Sequence, residues 1–178
     1  MVTIIFEPHS TTFDNEAHVA SGHNDVALSP LGEQQSKEMG ERYKDVKFDA
    51  IFCSDLQRAY RSAELAFGSK FPIIRGARLR ECDYGDHTKM PSAEVEKEKP
   101  QRITVPFPNG ESYMQATARM KAFLADLLKN HGGETVMVIG HRATQYALEN
   151  LINKIPLETI VPAPWKWQPG WRYELTGI

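Results

Sequence analysis

The chain has 178 residues, enough for one globular domain with a real core. Hydrophobic residues make up 41% and charged residues 25%, which excludes a mostly disordered chain. The net charge of −2 gives no electrostatic reason to bind nucleic acid or an anionic membrane, and two cysteines, Cys53 and Cys82, are too few for a disulfide framework.

Residues 2–6 are short, apolar and β-branched, as a buried strand should be, and they lead to His9. No cationic stretch followed by an apolar segment opens the chain, and no apolar run reaches membrane-spanning length. A soluble, cytoplasmic protein is therefore expected. Residues 7–28 are polar and lack a clear period, so they read as a loop. Ser29-Pro30 predicts a helix start, with serine as N-cap and proline at the first helical position, and the helix should run to about Asp45. "FDAIFCS" (48–54) reads as a second strand, with Cys53 as a buried free thiol. Ser54 and Gln57 have capping-box spacing for a helix reaching about Phe67.

"FPIIR" (71–75) predicts a short third strand. The charged stretch "SAEVEKEKPQR" reads as a solvated helical face. A long helix over about 111–130 is predicted from the stripe Met120, Phe123, Leu124, Leu127 and Leu128. "ETVMVIGH" (134–141) is the clearest buried strand and ends in His141, with a helix expected over about 143–152. "WRYEL" near the end suggests an edge strand. Strands alternating with helices argue for an α/β fold, a mainly parallel sheet with helices on both faces in a single domain, 1–178. Ligands collect at the carboxyl ends of such strands, where His9 and His141 both fall. A histidine there can also simply close a strand.

Set in order, the polar segments resemble one family, the histidine phosphatase (phosphoglycerate mutase-like) superfamily. Its opening motif is Arg-His-Gly-Glu-Thr with asparagine six residues after the histidine; here Pro8-His9-Ser10-Thr11-Thr12 is followed by Asn15. "SGHNDVALSPLGEQQ", "CSDLQRAYRSAELA", "LRECDYGD", "NGESYMQATARM" and "VIGH" resemble its later segments. They put the second arginine at Arg58, the acid at Glu81, a helical arginine at Arg119 and the second histidine at His141. Two departures stand out: Pro8 replaces the arginine before the first histidine, and Arg142 follows the second, where the family often has glycine.

The resemblance implies a phosphoglycerate mutase-like fold and a metal-free phosphomonoesterase with no cofactor. Phosphoryl transfer needs an in-line nucleophile, positive donors around the phosphoryl oxygens and an acid for the leaving oxygen. His9 would be the nucleophile and form a phosphohistidine. Arg58, Asn15 and His141 would hold the phosphoryl group, and Glu81 would protonate the leaving oxygen, with Asp83 and Asp86 as nearby alternatives. Arg142 is expected to supply the charge that Pro8 cannot, or else to pair with a carboxylate such as Glu111 or to point to solvent. His23 would stand at the pocket mouth. His18, His87 and His131 read as surface residues. Trp165, Trp167 and Trp171 either pack the C-terminal segment or wall the pocket. The expected partner is a phosphorylated substrate, a small molecule rather than a protein, with no nucleic acid or membrane; a homodimer is left open. Pro8 keeps a second class of function in view, a non-catalytic pseudophosphatase that binds phosphate or a phosphoprotein. A phosphomutase is a lesser alternative, because such mutases are usually longer.

Overall fold

The computed structural model describes residues 1–178. β1 (Val2–Pro8) extends past the apolar run, because Glu7 and Pro8 stay in register with a neighbouring strand. The expected loop then contains a single helical turn, α1 (Phe13–Glu16), which apolar periodicity could not reveal. Its signal is a capping box: Thr12 Oγ1 accepts from the Asn15 N–H, and Asn15 Oδ1 accepts from the Thr12 N–H. α2 (Pro30–Arg42) starts as expected, with Ser29 Oγ accepting from Gly32 N–H, and stops before Asp45.

β2 (Ala50–Ser54) and α3 (Gln57–Phe67) follow. Ser54 is not the cap of α3; Leu56 stands there without a side-chain cap. Asp25 caps this helix from a distant loop instead, its Oδ1 accepting from the Gln57 N–H at 2.7 Å. A cap supplied across 32 residues leaves no local spacing to read. β3 (Ile73–Gly76), α4 (Ser92–Glu98), α5 (Tyr113–Asn130), β4 (Thr135–Gly140) and α6 (Arg142–Leu151) match the predicted elements. A short α7 (Leu157–Ile160) was not predicted, and β5 (Trp171–Leu175) is the edge strand.

The strand order is β3-β2-β4-β1-β5. The first four strands are mutually parallel and β5 runs antiparallel to β1. Side chains alternate between the two faces, as the pleat requires. Ile4, Phe6, Phe52, Val136 and Val138 pack against Met120, Phe123, Leu124 and Leu127 of α5 and Ala147 and Leu148 of α6. Ile51, Cys53, Met137 and Ile139 face Met39 of α2 and Ala59, Ala63 and Phe67 of α3. Truncating a buried leucine such as Leu124 would cost about 2–5 kcal/mol. A third cluster, including Tyr84, Val95, Phe107, Tyr113 and Tyr146, lies under the long segment between β3 and α5. That segment arches over the carboxyl end of the sheet, where both strand-ending histidines emerge. No helix is long and apolar enough to cross a membrane.

Candidate active site

β1 and β4 are neighbours in parallel register, with Pro8 opposite Gly140. His9 and His141 therefore leave the sheet side by side, their ring centroids 5.0 Å apart. His9 Nδ1 donates to the Ser10 carbonyl at 2.8 Å, which leaves the lone pair on Nε2. Burial, and then the positive charge of Arg58, lower the His9 pKa to about 3. The same causes, in the same order, hold His141 well below the usual histidine range. Both rings are neutral at pH 7, the state a nitrogen nucleophile needs.

The turn after His9 is anchored by two helices. Ser36 Oγ donates to Ser10 Oγ at 2.8 Å, and the Ser10 N–H donates to Ser62 Oγ at 3.0 Å. The Thr11 N–H donates to Gln35 Oε1. Gly32 lets α2 come close: a Cβ there would lie 1.9 Å from the Thr11 carbonyl oxygen. Sequence reasoning missed these anchors. Their only local signal is small residues four apart, Gly32 with Ser36.

Arg58, in the first turn of α3, is 2% exposed. Nη1 donates to the Asn24 carbonyl and Nη2 to the Gly22 carbonyl, while Nε has no protein partner. The loop that supplies those carbonyls is tied to Asp14, whose Oδ2 accepts from Ser21 and Asn24 and whose Oδ1 accepts from Lys89. Both ring nitrogens of His141, which is 1% exposed, also lack a protein partner. Asn15 lines the same cavity. Its amide oxygen is committed to the capping box, so its Nδ2 is the end available to a ligand.

Glu81 is 8% exposed, and its Oε1 accepts from the N–H groups of Cys82 (2.8 Å) and Ala143 (3.2 Å). Oε2 accepts none from the protein. The segment carrying Glu81 is stapled by Arg119, which donates to the Arg78, Arg80 and Glu81 carbonyls and forks onto Glu111. His23 joins this staple: its Nε2 donates to the Glu81 carbonyl at 2.7 Å. His23 is thus not at the pocket mouth as expected; it braces the loop of Glu81 from behind. Asp83 accepts from the Gly85 N–H and Asp86 from Asn109, and neither lines the cavity.

These groups surround one cavity of about 570 Å³, whose lining includes His9, Asn15, Arg58, Glu81, His141 and Arg142. Arg142 does pair with a carboxylate, as the alternative expectation had it, but with Glu96 and not with Glu111, which Arg119 occupies. Its Nη1 donates to Glu96 Oε1 at 2.6 Å, and its guanidinium lies over the Trp165 ring at 5.0 Å. The charged stretch is therefore helical but not merely solvated: Val95 is buried, Lys99 is buried, and Glu96 lines the cavity. The tryptophans divide between the two roles considered. Trp165 and Trp167 line the cavity, whereas Trp171 packs on Phe6. At the far end, buried Glu7 accepts from Arg42 and Tyr43, and Arg42 lies over Trp167. His87 is mostly buried beside Phe107 and pairs with Glu98, so it is not the surface residue expected. His18 is exposed, and partly buried His131 pairs with Glu134.

A model of the histidine phosphatase superfamily (branch 1) matches residues 4–166. The chain is 33% identical over 149 residues to the uncharacterized phosphatase PhoE of Bacillus subtilis, covering 83% of this chain and 76% of that protein. It is 29% identical over 157 residues to phosphoserine phosphatase 1 of Hydrogenobacter thermophilus, covering 83% and 74%. The solved structure of Bacillus stearothermophilus YhfR superposes with a TM-score of 0.86 at 23% identity, over 99% of this chain and 96% of that one.

Proposed function

Because the chain belongs to the histidine phosphatase superfamily, branch 1, we propose that it hydrolyses a small-molecule phosphomonoester through a phosphohistidine on His9. The observation that carries this reading is the set of buried nitrogens without protein partners around His9. These are Arg58 Nε and the two ring nitrogens of His141, and both residues line the cavity that His9 enters. Buried polar groups are ordinarily hydrogen-bonded, so such a cluster suits an anion that accepts from them.

In the first step His9 Nε2 attacks phosphorus and the bond from phosphorus to the ester oxygen breaks. Arg58, His141, the Nδ2 of Asn15 and Arg142 hold the phosphoryl oxygens. Glu81 delivers its proton to the leaving oxygen, and its position against the N-terminal turn of α6 keeps it beside His141. In the second step water attacks phosphorus, the nitrogen–phosphorus bond breaks, and Glu81 takes back a proton. No metal is assigned a part, because the donors that would balance the phosphoryl charge are side chains of this chain.

Pro8 favours a second reading, a pseudophosphatase that binds phosphate without turnover. A lost preorganised donor typically costs on the order of 10²–10³ in rate. The deciding experiment is a screen of phosphomonoesters with the wild-type chain beside His9→Ala. Hydrolysis by the wild type alone supports the enzyme; phosphate binding without hydrolysis by either supports the binding module.

A further inference from the structure

Arg142 and Lys99 share one carboxylate oxygen. Arg142 Nη1 is 2.6 Å and Lys99 Nζ 2.7 Å from Glu96 Oε1. The two bonds sit in different surroundings. Arg142 and Glu96 are half-exposed, with side chains 39% and 46% accessible, whereas Lys99 is 1% accessible. An ion pair between exposed side chains is weak, because water screens it and ordering two long chains opposes it. A buried ammonium that loses its ion-pair partner is penalised heavily. Of the two bonds, the one to Arg142 is the one that gives way.

We propose that Glu96 is a resident competitor for Arg142, displaced by the phosphoryl group of the substrate and retained by Lys99 when that happens. This inference rests on the phosphatase reading, with Arg142 as a phosphoryl ligand. Arg142 is the cation that follows His141 directly, at the strand end next to Pro8. With no ligand, its charge is balanced by Glu96. A phosphoryl dianion carries twice the charge of a carboxylate and offers oxygens matched to the guanidinium fork. Trp165 gives the guanidinium a flat face along which it can turn without losing its aromatic contact. Glu96 stays on the buried ammonium, so no charge is stranded. The consequence is selectivity: an anion enters the seat only by outbidding Glu96, which favours dianionic phosphomonoesters over singly charged esters and hastens release of product.

The test measures inorganic phosphate binding by calorimetry on the full chain, and steady-state hydrolysis of p-nitrophenyl phosphate, for a double-mutant cycle built in a Lys99→Met background, which removes the buried ammonium that Glu96→Gln alone would strand. Glu96→Gln should tighten phosphate binding about two- to fivefold, the worth of an exposed pair, and lower KM without raising kcat. Arg142→Ala should weaken phosphate about tenfold or more, the loss of a charge-assisted bond. In the Arg142→Ala background, Glu96→Gln should change nothing, because the competitor then has nothing to compete for. The proposal is overturned if Glu96→Gln leaves phosphate affinity unaltered, if its effect persists without Arg142, or if the wild type binds no phosphate. Failure of the phosphatase reading would look different: hydrolysis by the wild type no faster than by His9→Ala, whatever the phosphate affinities.

Discussion

Arg58 is held by the carbonyls of Gly22 and Asn24 through its two terminal nitrogens, while its third nitrogen, Nε, is buried without a protein partner. Two bonds to backbone leave the guanidinium little freedom. Arg58→Lys keeps a charge, but its compact ammonium cannot reproduce the planar fork that spans the two carbonyls. It should lose about 10²-fold or more in kcat/KM. Activity within a fewfold of wild type would show that the orientation of the fork is unimportant.

Asp14 acts on Arg58 through the loop it ties down. Asp14→Asn weakens the charged bond to Lys89 and the acceptor shared by Ser21 and Asn24. The expected result is a raised KM with a smaller change in kcat. A phosphate affinity equal to that of wild type would separate the loop from the site.

Neutral histidines make stability depend on pH in one direction. His9 has a pKa of about 3 in the folded chain. An unfolded histidine titrates near about 6.5. Below about 6.5 the unfolded chain binds a proton that the folded chain refuses, so stability falls as pH drops toward 3, by about 1.4 kcal/mol per pH unit for each such group. Above that window His9 contributes no slope. Urea melts of wild type and His9→Ala between pH 4 and 8 measure this: the wild type should lose more stability on acidification. Equal pH slopes for the two proteins would mean that His9 titrates normally.

Glu81 should matter in proportion to the need for a proton. Glu81→Gln removes the acid, and its loss should be much larger for alkyl phosphates than for p-nitrophenyl phosphate, whose leaving oxygen departs without help. Comparable losses on both substrates would take Glu81 out of that role.

Gly32→Ala tests the close approach of α2 to the turn after His9. The added methyl meets the Thr11 carbonyl. Overpacking of this kind costs about 1–3 kcal/mol, to be read from denaturant midpoints. An unshifted midpoint would show that the turn moves freely.

What the sequence made legible follows from how locally each feature is encoded. Strands such as 134–141 and the α5 stripe are written in contiguous apolar patterns, and they appear where expected. His9 and His141 could be placed together because both end apolar strands, and parallel topology does the rest. Asp25 as the cap of α3 and His23 as a brace behind Glu81 join distant parts of the chain, so no spacing announces them. The charged stretch misled for a related reason: Glu96 and Lys99 look solvated in sequence, and only the arch over the sheet puts one in the cavity and buries the other.

A phosphohistidine on His9 can be trapped by rapid chemical quench during turnover. With a phosphomonoester labelled in its phosphoryl group, an acid-labile, base-stable label should appear on His9, form and disappear at least as fast as kcat, and be absent from His9→Ala. Hydrolysis proceeding at full rate with no label on His9, or with label on another residue, would rule out covalent catalysis by His9.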